Sequence, residues 1–496
     1  MKNQFTFSIK SLKLLSIGYL ALPVILFFIF WLKPAIAIFL VGILAYSFYR
    51  YFKNEQPSET IKIPYLQLFG ILAILSVWVF ISGAGGWGAQ SPDLSKHSSI
   101  FKDIIENSTP ISYLYNGQKI YLAAYLGYYI PVPLLFGWLS WPAMMFLVTI
   151  WTLIGALIGV LWFCILVESF SIKWVLFFVL VGGLDFAGLI HNIGLVDSLK
   201  VLFEKFYDTL PFFAIQIDQK MLLLYQANTH SLFWGPQHAL ICWIATGLFF
   251  YDWQKHQNIQ NSPLYLVLVP FWSPFILMGL APFIVYQVFK DGFQKYISWQ
   301  NLLLIPIFLI IIWFVNSVPV TNLEKGLIFY QPERLLNYLG ELKAYTFFLF
   351  FEIIVWAIPA YLIFKKSNNK KSLFVLIFIT ILLIIIPIYK LGKWNDFVQR
   401  VSMPALFFLW VLVAQSWKQT KSIGLKITFI LLFIIGSWDS VYHLLFSLKA
   451  TNYKIKYTAI RYEKVTNFVE TSKREKWPIE QSFAPDSASF FRYLAR

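Results

Sequence analysis

Residues 14–32 read LLSIGYLALPVILFFIFWL, an apolar run without a charged side chain. About 20 such residues in a helix span a hydrocarbon core of roughly 30 Å. The run outlasts a cleavable signal and meets no small-residue cleavage site, so it predicts a first membrane helix. Similar runs follow at 34–51, 63–83, 142–167, 173–194, 236–252, 264–289, 300–318, 344–364, 372–389, 402–417 and 425–446. Of 496 residues, 58% are hydrophobic and 13% charged, whereas soluble domains carry roughly 25% charged residues. The expected fold is an all-α, polytopic transmembrane bundle of about 11 to 13 crossings with external interfacial helices, because isolated strands would leave backbone groups unpaired in lipid.

The net charge of +16 comes from 40 Lys and Arg residues scattered through loops and the tail. That pattern predicts a cytoplasmic loop bias and anionic lipid headgroups as partners, not nucleic acid. Cys164 and Cys242 lie inside apolar runs, so no disulfide framework is indicated.

Short-loop cations orient the spans. Lys2, Lys10 and Lys13 precede the first, Arg50, Lys53 and Lys62 separate the second from the third, and Lys365, Lys366, Lys370 and Lys371 come later. Holding these inside, with Lys290 and Lys295, requires segment 264–289 to cross twice or re-enter, and Pro270, Pro274, Gly279 and Pro282 permit the break. The polar stretches 84–140, 195–235, 319–343, 390–400 and the tail from 447 then share the outer face. The expected organisation is a transmembrane domain over 1–446 and an external tail or helical cap over 447–496. Pro131 and Pro133 in YLGYYIPVPLLFGWLSWP favour a helix lying in the interface over a kinked span.

The stretch SGAGGWGAQSPDLSKHSSIFKDII, residues 82–105, carries the chemistry expected of a site. On a helix Asp93 and His97 share a face, with Lys96 adjacent. Gly83, Gly85, Gly86 and Gly88 permit close approach of backbone to a ligand. The plainer account is that Asp93 caps the helix and His97 is solvated. Asp103 is balanced between a second acidic role and a surface one.

Asp185 and His191 stand out within apolar helices, where ionisable groups face a cavity or partner. His230, Gln237 and His238 in NTHSLFWGPQHALICW flank a helix start at Pro236. His230 and His238 are separated by a Gly-Pro turn, and no carboxylate at ligand spacing joins them. Hydrogen bonds to phosphate or sugar are therefore preferred to a metal. Glu333 and Arg334, and Asn395, Asp396 and Arg400, supply forks for phosphate or interhelical ion pairs.

The stretches PDLSKHSSIFKDII, GYYIPVPLLFG, FWGPQHALICWIATGL, WSPFILMGLAPF and NDFVQRVSMPALF together resemble bacterial C-class (GT-C) integral-membrane glycosyltransferases. That resemblance implies a GT-C-like fold and a sugar donor on a polyprenyl phosphate or diphosphate. It also implies a glycan, lipid or protein acceptor and a site on the outer face of the inner membrane. The catalytic carboxylate falls by position on Asp93, with Asp103 as understudy. Lys96, His97, His191, His230, Gln237, His238, Arg334 and Arg400 are candidates for the donor phosphate and substrate. The first loop lacks the paired-acid motif of many members, and the reading favours metal-independent transfer without a cofactor. The rivals are a lipid-linked sugar transporter or flippase and a surface polysaccharide polymerase or ligase.

Overall fold

The computed structural model describes residues 4–54, 59–88, 90, 92–123, 125–194, 196, 215–217, 221–255, 258–319, 324–328, 338–392, 394–453, 461–477 and 481–496. Six helices are long and apolar enough to cross a membrane: Ile9–Trp31, Pro34–Lys53, Trp141–Val167, Leu342–Lys366, Lys370–Ile388 and Ile423–Leu448. Shorter apolar helices cover Tyr65–Ile81, Pro263–Trp272 and Trp299–Val315. The chain is a mostly helical, multi-pass membrane protein. Large apolar side chains face outward on these helices, Ile38 at 75%, Leu66 at 81% and Ile423 at 75% exposure. Lipid can cover such residues at no hydrophobic cost, whereas water cannot.

Each predicted span finds a helix, and two are broken. The span expected at 173–194 is two helices, Ile172–Leu180 and Asp185–Ile193, with extended backbone between them. The span expected at 264–289 breaks at Ser273, whose backbone is extended between Val269–Trp272 and Pro274–Asp291. The mostly helical architecture agrees with the all-α expectation, and a few short antiparallel strands also form among the described residues. They lie in the connecting segments, where water or a neighbouring strand serves the backbone.

The chain divides into two compact units. The first comprises Met1–Trp162, Trp234–Asn322 and Ile455–Arg496, the second Phe163–Phe233 and Leu323–Lys454. Of the expected tail or cap, Ile455–Arg496 belongs to the first unit. It also mixes helix with strand, since Phe483–Pro485 extends the hairpin Ser112–Tyr115 and Gln118–Leu122 into a three-stranded sheet.

Within the first unit, Ile9–Trp31 acts as a ruler. At its N-terminal end Gln4–Ser8 pairs with Thr60–Pro64. At its C-terminal end Leu32 bridges Ala495 and the Arg496 amide donates to the Trp31 carbonyl. Tail and N-terminal strand therefore lie at opposite ends of one spanning helix. The broken segment enters and returns. Tyr265 donates to Asp252 at 3.2 Å and Trp253 to Gln287 at 2.6 Å, so both arms meet the C-terminal end of helix Pro236–Lys255. Trp272, near the break, stacks on Tyr19 and Trp151. Gly127 is obligatory against it, since a Cβ there would overlap the Trp272 ring.

A buried ion pair, Lys13 Nζ to Asp252 Oδ1 at 2.9 Å, ties the start of Ile9–Trp31 to that helix end. Removing one partner strands the other charge, which costs about 3–5 kcal/mol. Asp252→Asn should lower the midpoint of thermal unfolding in detergent sharply. Lys13→Met combined with Asp252→Leu should recover most of the loss.

Candidate functional site

In the first unit the segment after helix Tyr65–Ile81 turns through Gly83, Gly85, Gly86 and Gly88, all with left-handed φ between 76° and 85°. Gly85 lies against the helix Trp141–Val167, where a Cβ would strike Thr149, and Thr149 Oγ1 donates to the Ala84 carbonyl at 3.0 Å. Gln90 closes the turn by donating to the carbonyls of Gly83 and Trp87. This turn launches the loop helix Pro92–Glu106, with Asp93 in its first turn, where a carboxylate suits the positive end of the helix dipole.

Asp93 is half-buried and lies within electrostatic reach of Tyr129. One turn on, His97 is buried with its ring edge-on to Tyr129 at 5.3 Å and to Tyr128 at 6.2 Å. The same segment brings Tyr125 edge-on to His238 at 5.2 Å, and His238 Nδ1 meets Ser273 Oγ at 2.8 Å. A tyrosine-bearing strip over residues 125–129 therefore links Asp93 and His97 to His238 and the broken segment. Gln237, beside His238, is buried with no hydrogen-bond partner for its Oε1. The expected interfacial helix is the short turn-and-a-half Pro131–Phe136 that follows.

Lys96 faces the tail, over the Trp477 ring at 5.4 Å. Asp103 is fully buried, accepting from Tyr113 Oη at 2.5 Å and from the Phe468 amide at 2.8 Å. Ser99 with Thr471 at 2.7 Å, and Lys102 donating to the Val465 carbonyl at 2.8 Å, complete the seam. Asp103 thus joins the hairpin and the tail to the loop helix, and Asp93 is left as the acid of this face.

The second unit holds a separate polar cluster. The extended link at 181–184 leaves carbonyls of Ile172–Leu180 unpaired within their own helix. Asn228 and Thr229 donate to them, at Phe178 and Val179. Opposite, Phe350–Ile354 widens into a π turn, and the Phe351 carbonyl accepts from the Leu184 amide at 3.2 Å. Such turns are frequent at functional sites. Gly183 makes room, because a Cβ there would overlap the Glu352 carboxylate. Glu352 and Asp185 are buried and electrostatically coupled to one another and to Asp439. Asp439 in turn reaches His230 Nδ1 at 3.1 Å and His443 Nε2 at 3.3 Å.

Arg400 is buried beside this cluster. It donates to Gln226, which also bonds Gln399 at 2.9 Å, and its charge is felt at His230. Strand Lys325–Leu327 pairs with Tyr389–Leu391 just before. Three of the polar stretches expected together therefore meet within this unit. His191 lies in helix Asp185–Ile193. Glu333 and Arg334 lie outside the described residues.

Sequence reasoning singled out Asp93, His97, His238, Asp185, His230 and Arg400, and passed over Glu352, Asp439 and His443. The last two carried a legible signal: an acid and a histidine four apart on one helix, in DSVYH. No protein-family model matches the chain, and neither a curated protein nor a solved structure matches it.

Burial lifts the Asp103 carboxyl to about 6 against the hydrogen bonds from Tyr113 and Phe468. A raised folded value means the protonated form is the one folding favours. That contribution is complete below the ordinary carboxylate range and is lost as pH rises through about 6. The unfolding midpoint of the wild type should fall over this window, and Asp103→Asn should flatten the fall. Gly183→Ala, by overpacking Glu352, should cost about 1–3 kcal/mol in the same assay.

Proposed function

We propose that this protein is a membrane glycosyltransferase that moves a sugar from a polyprenyl-phosphate or diphosphate carrier to a hydroxyl acceptor. The observation that carries the reading is the strip at 125–129, which links a half-buried carboxylate, Asp93, to His97 and His238. A sugar presents apolar faces and a hydroxyl rim, so a wall of tyrosine rings with a few convergent polar groups suits it. Asp93 acts as general base: it takes the proton of the acceptor hydroxyl as oxygen attacks the anomeric carbon and the bond to the lipid phosphate breaks. Inversion at that carbon needs one such base. His97 and His238 serve the departing phosphate as hydrogen-bond donors, and Lys96 is a tail contact in this arrangement.

The tail supports the same reading. It packs on the loop helix through Thr471, Phe468 and Trp477, and a rigid base holds its geometry better than a loose one. The outer face of the bacterial inner membrane is the proposed location, following the orientation that the lysine-bearing short loops set.

A transporter of lipid-linked sugar is favoured by one observation, the broken helices at 181–184 and Ser273. The two readings separate in one assay. Purified protein is reconstituted with a radiolabelled polyprenyl-phosphate sugar and a cell-envelope lipid acceptor. Transfer should fall roughly 10²- to 10⁴-fold in Asp93→Asn, with donor binding retained. Undiminished transfer in that variant would remove Asp93 as the base, and carrier movement without transfer in the wild type would favour transport.

A further inference from the structure

We infer that His230, Asp439 and His443 form a binding site for a divalent transition-metal ion, zinc by its ligand set, in the second unit. One atom from each residue lies within 4.8 Å of the other two, and all three residues are buried. Asp439 Oδ2 is 3.1 Å from His230 Nδ1, and Asp439 Oδ1 is 3.3 Å from His443 Nε2. Ligands about 2.0–2.1 Å from a tetrahedral ion stand about 3.3 Å apart, so small adjustments suffice to seat one. Two imidazoles and one carboxylate leave a position open for water or an oxyanion.

Charge supports the same conclusion. Asp185 and Glu352 are coupled to Asp439, and Glu352 Oε2 and Asp185 Oδ2 are buried without a hydrogen-bond partner of their own. The buried Asp439 carboxylate is held between two imidazoles, and a divalent ion seated there answers its charge. Buried charges are stable when paired or when they hold a metal. The site is scaffolded as well: Asp439 and His443 are one turn apart on helix Trp438–Tyr453, and His230 sits on Asn228–Trp234, which the Asn228 and Thr229 bonds pin.

On binding, neutral His230 and His443 give up the ring protons directed at Asp439 and carry them on the other ring nitrogen, so the ligating nitrogens offer lone pairs. A histidine that starts as imidazolium releases its proton to water. Affinity should therefore weaken on acidification.

The test uses the full chain in detergent, stripped with a chelator and titrated with Co²⁺ as a spectroscopic stand-in, with bound Zn²⁺ measured by mass spectrometry. The wild type should retain about one ion per chain. Asp439→Asn and His443→Ala should each weaken Co²⁺ binding at least roughly tenfold. Asp93→Asn should leave it unchanged, which separates this site from the proposed sugar transfer. Because the alanine variant can misfold, His443→Cys provides the decisive arm. It should keep the ion and add a sulfur-to-cobalt charge-transfer absorption in the near ultraviolet. A wild type that takes up no stoichiometric Co²⁺ or Zn²⁺ would reduce the cluster to a hydrogen-bonded triad and overturn the proposal, as would a cysteine variant that binds Co²⁺ without that absorption.

Discussion

In hydrocarbon no water stands ready to accept or donate a hydrogen bond, so every interruption of a spanning helix must be answered by protein. The link at 181–184 shows how strictly this holds. Asn228 and Thr229 reach the carbonyls of Phe178 and Val179, and the Leu184 amide finds a carbonyl that a π turn at 350–354 has released. One irregularity is matched by another. Both open at the place where Asp185 and Glu352 meet, so the polar cluster of the second unit is organised by the same requirement that governs its backbone.

Two kinds of information differ in how much of the sequence they need. Helix spans are local, because composition over about 20 residues decides them, and residues 14–32 and 142–167 each find their helix. The break at Ser273 was legible too, since Pro270 and Pro274 leave the backbone no regular alternative there. Partner choice is not local. His230 finds Asp439 at a separation of 209 residues, and Asp103 finds Phe468 at 365. No spacing rule links such positions, which is why His230 read as a histidine lacking a carboxylate. The hairpin strands were hidden for another reason: Ser112–Tyr115 and Gln118–Leu122 are too short for an alternation to stand out.

The same contrast applies to function. Asp93, His97 and His238 were chosen for residue type and setting, and the tyrosine strip connects them in one unit. Arg400 was chosen for phosphate, and it lies buried in the other unit against Gln226 and near His230. Its guanidinium donates to the glutamine side chain, so part of its fork is already committed within the protein.

The pairing of residues 483–496 with the Trp31–Lys33 turn and with strand Gln118–Leu122 has a consequence for biogenesis. Ribosomes deliver residues in order, and those positions emerge after both stretches of the second unit. The loop helix must wait beside an incomplete sheet while nearly all the other spans insert. Until then the Asp103 carboxylate and the Ser99 hydroxyl of the loop helix lack their tail partners, Phe468 and Thr471. Insertion factors that shield such groups, and the speed of translation through the intervening spans, should therefore govern the yield of folded protein more than the hydrophobicity of any single helix does.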